Sequence, residues 1–295
     1  MKRIFTVPVV FGILLLLVGC NGSSNGRVSI ALTDSPFDNA SAAVVEFTGI
    51  TFQPDAGAPI TYKFYAPQQI DLAQLQNGNR TPLVDSFTLP AGHYQYAELL
   101  ISATGSGTDS YLTLNDGTQH ALVLGPTGTQ GLRARYLVGG FDVDADTTRA
   151  YTIDFDMRKS VLSPTAPSTD YVLEPRLRMV QDDTVGNIIG TVSSSLIGSG
   201  CTPVVYAYDG TVSKPADLDN TAPANTQPVS ESPVKLNATT GAYEFTVAYL
   251  PAGTYTMALT CDAAADNPAQ PDAITFEFTG TAPAILGSTV RISMN

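Results

Sequence analysis

Leu250-Pro251-Ala252-Gly253-Thr254-Tyr255 stands between two segments of strand-like sequence, residues 243–249 and 254–261. Proline fixes φ and glycine readily takes a positive φ, so the motif predicts a tight turn where one strand ends and the next begins. The same pattern, Leu-Pro-Ala-Gly-x-Tyr, occurs at residues 89–94. The repetition predicts either two related sandwiches or the same type of turn used in two unrelated places, and the matching segment is too short to decide between them.

Strand-like segments continue along the chain on both sides of these turns. Asn115-Asp116-Gly117, between residues 111–114 and 119–124, predicts a hairpin. Residues 71–76 predict one short helix, which Asn77-Gly78 would end. A second series of predicted strands follows a polar joint at residues 181–186; it comprises residues 188–193, 204–208, 234–236, 243–249, 254–261, 274–278 and 290–294. The fold class is therefore all-β, with two β-sandwich domains in tandem at residues 28–181 and 187–295.

Composition agrees with turn-rich β structure rather than helical bundles. The chain has 25 Gly and 20 Pro residues, only 14% charged residues, and a hydrophobic content of 43%, which is ample for packed cores. Thirteen tyrosines and no tryptophan are present. A sugar-binding surface would therefore have to use tyrosine rings, and most of the tyrosines alternate into predicted cores.

The N-terminus resembles that of a bacterial lipoprotein. A basic start, Met1-Lys2-Arg3, precedes an apolar run too short to span a bilayer comfortably, and Leu17-Val18-Gly19-Cys20 resembles the lipobox. The resemblance implies that residues 1–19 are a signal peptide, that Cys20 is acylated, with palmitate among its chains, and that residues 20–27 form a lipidated tether. Asn21 after the cysteine implies the outer membrane of a Gram-negative envelope. The alternative is an ordinary secretory signal or a short buried helix.

Charge excludes two classes of partner. Without residues 1–19, 13 basic and 27 acidic residues remain, a formal charge of −14. Such a chain is not expected to bind nucleic acid, or to bind anionic lipid through a polybasic segment. The predicted partners are the membrane, through the N-terminal lipid, and a protein or glycan ligand of unknown identity.

The two remaining cysteines, Cys201 and Cys261, are predicted to form a disulfide, because an exported chain folds in an oxidising compartment. The alternative is two separate buried thiols. Zinc is disfavoured, since the chain has no CxxC motif and only two histidines. Reduction is then expected to lower the melting temperature of the second domain and to leave that of the first unchanged.

Asp142, Asp144 and Asp146 are weak candidates for a metal site. They resemble the start of an EF-hand calcium loop, but Thr147 stands where glycine is needed and Ile153 where glutamate is needed. The favoured interpretation is a solvated sheet face carrying charge, with no tight metal site. Asp154, Asp156 and Arg158 are interpreted in the same way.

No catalytic residue is predicted. Residues 22–26 match the GxSxG pattern only inside the tether, where no strand and helix could form a nucleophile elbow. The two histidines, His93 and His120, lie at a turn and in a hairpin strand. The sequence does not forbid a Ser-His-Asp arrangement at either histidine, but geometry rather than the supply of Ser and Asp residues defines a triad, so this interpretation is disfavoured.

Two family resemblances follow from the motifs. The first region resembles the domain of unknown function 4382 family, found in bacterial lipoproteins, through residues 28–36, 89–94, 138–141, 154–161 and 173–178. That family implies no reaction. The second region is similar to carboxypeptidase regulatory-like and prealbumin-like modules through residues 190–192, 240–245 and 250–255. Such modules usually serve as spacers or adhesive stalks.

Together these observations predict a lipid-anchored envelope protein without enzymatic activity or cofactor, acting as a surface binding, adhesive or structural module. One alternative is an accessory lipoprotein that captures a glycan or small ligand. Another is an uncharacterised hydrolase. Residues 209–233 are long for a link between strands and rich in Pro, Ala, Asn and Ser, so they are either a disordered insertion, which is favoured, or a binding loop.

Overall fold

The computed structural model describes residues 24–35, 39–125, 134–136 and 140–295. The predicted signal peptide and the lipidation of Cys20 lie outside the described residues. Within the described residues, no helix is long and apolar enough to cross a membrane.

The first sandwich consists of β1 to β13 and one short α-helix, α1. Its elements are β1 Asn25–Ser35, β2 Ala40–Pro54, β3 Ile60–Asp71, β4 Thr81–Pro90, β5 Gly92–Ser102, β6 Tyr111–Leu114, β7 Gln119–Leu124, β8 Ala134–Tyr136, β9 Phe141–Val143, β10 Thr148–Asp156, α1 Met157–Ser160, β11 Val161–Leu162, β12 Tyr171–Leu173 and β13 Leu177–Gln181. One sheet has the order β13-β10-β1-β4. The facing sheet has the order β11-β12-β7-β6-β2-β5-β8, with β3 on β2 and β9 on β5.

The second sandwich follows a 3-10 turn at Asp182–Thr184. Its strands are β14 Val185–Val192, β15 Val204–Asp209, β16 Ser230–Pro233, β17 Lys235–Leu236, β18 Tyr243–Pro251, β19 Gly253–Thr260, β20 Phe278–Ala284 and β21 Thr289–Met294. They form two sheets, β17-β18-β14-β21 and β16-β15-β19-β20. Among the described residues, no sheet mixes strands from the two sandwiches. The all-β sandwich fold predicted from the sequence is confirmed.

The two sandwiches share five strand pairings with the same orientations. β1 pairs antiparallel with β4 and parallel with β10, as β14 does with β18 and β21. In the other sheet, β2 pairs antiparallel with β3 and β5, just as β15 pairs antiparallel with β16 and β19. The antiparallel pair β5–β9 likewise corresponds to the antiparallel pair β19–β20. Each Leu-Pro-Ala-Gly turn lies where the chain crosses from one sheet of its sandwich to the other. The shared topology favours two related sandwiches over one turn used twice.

The tyrosine after each turn fixes it in the same way. Tyr94 Oη donates to the carbonyl of Pro90 at 2.9 Å, and Tyr255 Oη donates to the carbonyl of Pro251 at 2.8 Å. Both rings are buried. A buried ring whose hydroxyl bonds back to the chain a few residues upstream pins a crossing between sheets. The predicted positive φ of the glycine is present in the first copy, where Gly92 has φ +150°, but not at Gly253.

A second equivalence lies at the start of each sandwich. A Cβ atom on Gly26 would lie 2.1 Å from the carbonyl oxygen of Asp144, and one on Gly186 would lie 2.2 Å from that of Ile285. Gly26 is the second residue of β1 and Gly186 the second residue of β14. The same close approach of backbone therefore requires glycine at the same place in both sandwiches.

Some predicted boundaries are wrong. Residues 25–27 belong to β1, with Arg27 paired to Thr148, so the tether predicted at residues 20–27 is too long. The strand predicted at residues 274–278 is absent, and β20 begins at Phe278 instead. Ile274 and Phe276 pack on the outer face of a sheet without joining it. The alternation of apolar and polar residues at 274–277 therefore reflects the packing of Ile274 and Phe276 rather than strand pairing.

The short helix predicted at residues 71–76 is a single 3-10 turn, Leu72–Leu75. Asp71 caps it by accepting from the backbone N–H of Ala73, and Asn77 and Gly78 end it with φ values of 60° and 81°. The α-helix of this fold, α1, was not predicted. It begins where Asp156 accepts from the backbone N–H of Lys159 at 2.9 Å. Local capping therefore stops β10 at Asp156.

Candidate functional site

The interpretation of Asp154, Asp156 and Arg158 as a solvated face is wrong, because all three side chains are buried. Their exposed fractions are 5%, 7% and 4%. The second sandwich covers the carboxyl ends of β1 and β10 together with α1. We call this contact the junction. Charged groups removed from water must be paired there, since isolated buried charges are strongly destabilising.

Lys159 is the central link of the junction. Its ammonium group lies 2.8 Å from Asp156 Oδ2 and 3.0 Å from Glu231 Oε1, and it donates to the carbonyl of Pro228 at 2.6 Å. These three acceptors match the three N–H groups of an ammonium ion. One acceptor belongs to the first sandwich and two to the second, so one side chain ties the two sandwiches together.

Further bonds cross the junction beside Lys159. Arg158 donates to the carbonyl of Ala263 at 2.9 Å, and Asn220 Nδ2 donates to the carbonyl of Lys159 at 2.8 Å. Arg178 bridges the sandwiches by donating to Asp154 Oδ2 at 2.7 Å and to the carbonyl of Tyr249 at 2.6 Å. Peripheral contacts are Tyr249 Oη to the Gly78 carbonyl, Ser232 Oγ to Asn77, Lys235 Nζ to Gln76, and the Arg80 guanidinium over the Tyr249 ring.

The buried carboxyl groups outnumber the buried cations that pair with them. Burial raises the pKa of Asp34 well above its ordinary value, and the nearby Asp154 raises it further. Burial also raises the pKa of Glu231 to about 8, with Asp156 adding to the shift and Lys159 opposing it. Oδ2 of Asp34 and Oε2 of Glu231 are buried and accept no hydrogen bond within the described residues. The junction is therefore stabilised when these two groups hold protons.

A pH dependence follows from the direction of these shifts. The folded-state pKa of Glu231 lies above the ordinary 4.5, so its stabilisation is full below pH 4.5 and is lost as pH rises through about 8. We expect the free energy of unfolding to fall over this window by up to about 1.4 kcal/mol per pH unit for each such group. Glu231→Gln should flatten the profile, and Glu244→Gln, outside the junction, should not. Urea denaturation from pH 5 to 9 measures this, and equal slopes for Glu231→Gln and the parent chain would contradict it.

Residues 209–233 form part of the junction, and the favoured prediction that they are disordered is wrong. Leu218 is fully buried among Tyr206, Tyr208 and Ala263. Tyr208 Oη donates to the carbonyl of Ala216. The segment folds over the outer face of the β16-β15-β19-β20 sheet, together with the loop after β19. This added layer explains why successive residues of β15 are buried on both faces.

The same two loops bring Asp217, Asp266 and Asp272 together, with one oxygen from each within 4.8 Å of the others. The carboxylates are already engaged by the chain. Tyr206 Oη donates to Asp266 at 2.6 Å, and the backbone N–H of Asn267 donates to Asp272 at 2.6 Å. Asp217 accepts from the N–H of Asp272. These bonds fasten one loop to the other.

Two of the three acids proposed from sequence as weak metal ligands have separate partners. Asp142 Oδ1 lies 2.8 Å from His93 Nδ1, and Asp144 Oδ2 accepts from Arg149 Nε at 2.8 Å. Asp146 lies in the turn before β10, with φ +56°. Buried and exposed side chains alternate along β9, where Phe141 and Val143 are buried and Asp142 is exposed, but the strand ends at Val143 and therefore does not include Asp144 or Asp146.

The disulfide between Cys201 and Cys261 is confirmed, with a Cα–Cα distance of 4.5 Å. Cys201 precedes β15 and Cys261 follows β19, which pair antiparallel, so the bridge and the turn before Gly253 lie at opposite ends of the sandwich. We call the end with the bridge the bridged end. A groove of about 500 Å³ opens there, lined by Ser195, Leu196, Gly198, Cys201, Asp262 and Glu277 among others.

Several junction residues carry little sequence signal. Lys159 and Glu231 are 72 positions apart, and Glu231 lies in a Pro-rich polar segment without apolar alternation. The best available signal was Arg158-Lys159, which follows the alternating Asp154 and Asp156 with one residue between, in a chain with only 15 basic residues. Such a cluster indicates pairing, but not with which part of the chain.

Comparison with known proteins gives one family and several distant structures. The family model for a domain of unknown function, DUF4382, matches residues 25–175. A search of curated protein sequences finds no match. The Bacillus anthracis TIE protein shares 13% identity over 92% of this chain and 34% of its own, with a TM-score of 0.22. A leucine-rich repeat protein from Bacteroides thetaiotaomicron shares 14% identity over 91% of this chain and 26% of its own, with a TM-score of 0.21. The minor pilin GBS52 of Streptococcus agalactiae shares 9% identity over 90% of this chain and 94% of its own, with a TM-score of 0.20.

This chain spans about a third or less of the first two of those proteins. With TM-scores near 0.2, none of the three likenesses assigns a function. The family match begins at Asn25, the first residue of β1, and ends at Pro175, just before β13. It covers just over half of the chain, which therefore belongs to the family of the domain of unknown function 4382.

Proposed function

We propose that this protein is a lipid-anchored structural or adhesive module of a bacterial cell envelope, without catalytic activity, and that its two sandwiches act as one unit. The observation that carries the proposal is the buried junction. Polar and charged side chains from both sandwiches form hydrogen bonds and ion pairs with one another there, which favours a fixed arrangement over two domains joined flexibly. Asn21 favours the outer membrane, and the second sandwich is proposed to be a prealbumin-like spacer module.

The position of β1 supports an anchoring role for the first sandwich. The carbonyl of Ser24 accepts from the N–H of Ala91 at 2.8 Å, so the described chain starts beside the first Leu-Pro-Ala-Gly turn. Asp34, near the other end of β1, lies in the junction. Eleven residues of strand span about 35 Å. A lipid on Cys20 would therefore attach at one end of β1, and the second sandwich is tied to the other end.

Replacing Cys20 with Ala tests the anchor. Since acylation needs the thiol, we expect the Cys20→Ala chain to incorporate no labelled palmitate and to accumulate as precursor, whereas Cys201→Ala, the matched control, should still be labelled. Radiolabelling in the native host followed by detergent partitioning measures both. Equal labelling of the parent and Cys20→Ala chains would show that the protein is not lipidated at this residue.

Two alternatives from the sequence have less support. A hydrolase needs a histidine bonded to both a serine and an acid. His93 is paired with Asp142, but within the described residues no serine hydroxyl is bonded to His93 or His120. Capture of a glycan would need exposed rings, and Tyr62 and Tyr65 on β3 are the tyrosines that the described residues offer.

A further inference from the structure

The strand by which the second sandwich enters the junction has a counterpart in the first sandwich. Ser230–Pro233 of β16 pairs with residues 204–207 of β15, in antiparallel order. The first four residues of β3, 60–63, pair in the same way with residues 49–52 of β2. Because β2 and β15 pair with β5 and β19 at corresponding positions, Tyr62 corresponds to Ser232 and Lys63 to Pro233.

The two corresponding strands differ in what covers them. Glu231 and Ser232 of β16 are buried, with Glu231 paired to Lys159 and Ser232 bonded to Asn77 of the first sandwich. On β3, Tyr62 is 38% exposed and Tyr65, in the irregular part of the strand, is fully exposed. In the described part of the chain β3 pairs only with β2, so its other edge is open. The strand of the first sandwich that corresponds to β16, the docking strand of the second sandwich, is therefore exposed.

The surface of the first sandwich that receives β16 also has a counterpart in the second sandwich. This receiving surface lies at the carboxyl ends of the parallel strands β1 and β10. The corresponding strands of the second sandwich, β14 and β21, end side by side at Val192 and Met294. Ser195 and Leu196, just beyond β14, line the groove at the bridged end. The groove therefore occupies the end of the second sandwich that corresponds to the receiving surface of the first.

The two uncovered surfaces carry opposite charges. Lys63 is exposed on β3, and its strand from Ile60 to Gln69 contains no acidic residue. Asp262 and Glu277 line the groove, and Glu277 is exposed. In the junction, too, a lysine of one sandwich meets an acidic side chain of the other, although there the lysine belongs to the receiving surface. Opposite charges on facing surfaces fix the partner and the orientation.

We propose that copies of this chain associate head to tail, with β3 of one copy, through Tyr62, Lys63 and Tyr65, docking into the groove at the bridged end of the next. Each copy then uses two different surfaces, which makes the contact heterologous, so that copies can add beyond a dimer. The contact repeats between chains the arrangement that joins the two sandwiches within a chain. It does not require the lipid, which would only raise the local concentration of copies at a membrane.

Sedimentation velocity of the soluble chain beginning at Asn21 tests the proposal. We expect the weight-average sedimentation coefficient to rise with concentration for the parent chain. Lys63→Glu, Tyr65→Ser and Glu277→Lys should each weaken association by about tenfold or more, as expected when an attractive contact is lost or becomes repulsive. Arg291→Glu, a charge reversal at an exposed position on β21, is the matched control and should leave association unchanged.

Two combinations separate head-to-tail association from other arrangements. The double variant Lys63→Glu with Glu277→Lys exchanges the two charges and should regain association that either single variant lacks. An equimolar mixture of Tyr65→Ser and Glu277→Lys should stop at dimers, because each chain keeps one intact surface and the two changed surfaces, both carrying a lysine, repel each other. A parent chain that remains monomeric up to about 1 mM, the weak limit of specific association, would overturn the proposal. So would loss of association on changing β3 but not the groove, which would indicate symmetric pairing of β3 edges.

Discussion

Replacing Lys159 with Met is expected to lower the free energy of unfolding by about 3–5 kcal/mol, the cost of removing one partner from a buried ion pair. The loss leaves the buried Asp156 without its cation, and it removes the contacts with Glu231 and with the Pro228 carbonyl in the second sandwich. Urea denaturation followed by circular dichroism at pH 7 measures the change. Adding Asp156→Asn should recover part of the loss, because the asparagine carries no charge and its side-chain oxygen can still accept from the backbone N–H of residue 159.

Calorimetry should show what Lys159 does for cooperativity. With the junction intact we expect the two sandwiches to unfold in one transition, and Lys159→Met should split it into two. Arg176→Met is the matched control, because Arg176 is half exposed and lies 3.8 Å from Glu174 in an ion pair outside the junction. An exposed pair is worth about 0–1 kcal/mol, so this control should keep a single transition. A single, barely shifted transition for Lys159→Met would show that the junction does not couple the sandwiches.

Replacing Cys201 and Cys261 with Ser is expected to cost about 4 kcal/mol, from the loop entropy of a bridge that spans 60 positions. The bridge ties the start of β15 to the end of β19. These strands support both β16 and the loops that meet α1. Differential scanning calorimetry of the parent chain with and without a reductant gives the same comparison without substitutions.

The junction changes which part of the chain should respond. From the sequence alone, reduction is expected to affect only the second domain. With the junction intact, we now expect the single transition of the whole chain to move to lower temperature, because each sandwich stabilises the other. In the Lys159→Met chain only the transition of the second sandwich should move. If reduction of the parent chain shifts one of two resolved transitions and leaves the other in place, the sandwiches are independent and the coupling is absent.

Features with local causes could be predicted from the sequence. The hairpin around Asn115-Asp116-Gly117 has the predicted strands, β6 and β7, with Gly117 at φ +86°. The two Leu-Pro-Ala-Gly turns and the end of the short helix at Asn77-Gly78 were predicted as well. The Cys201–Cys261 bridge was predicted for a different reason, because two cysteines of an exported chain remain in an oxidising compartment. Turn chemistry and the alternation of apolar residues act over a few positions, so they are readable without knowledge of the fold.

The sequence indicated a possible duplication but could not establish it. The repeated motif is short, and Gly26 and Gly186 have no distinguishing sequence around them. Their equivalence depends on which carbonyl approaches each glycine, and that carbonyl lies about 100 residues or more along the chain. Only the pairing of strands far apart in sequence shows that the two sandwiches follow the same path.

The function of the charged residues was decided by the tertiary structure alone. Alternation along a strand tells which residues share a face, but it does not tell whether water or another part of the chain covers that face. Asp154, Asp156 and Arg158 have the pattern of a solvated face and are buried because a second sandwich docks on them. Leu218 has a loop-like, Pro-rich environment in sequence and is buried because β15 offers Tyr206 and Tyr208 on its outer face. Local preferences determined the strands and turns of this protein, whereas the match of two distant surfaces determined its junction, since burial is a property of what comes together in space.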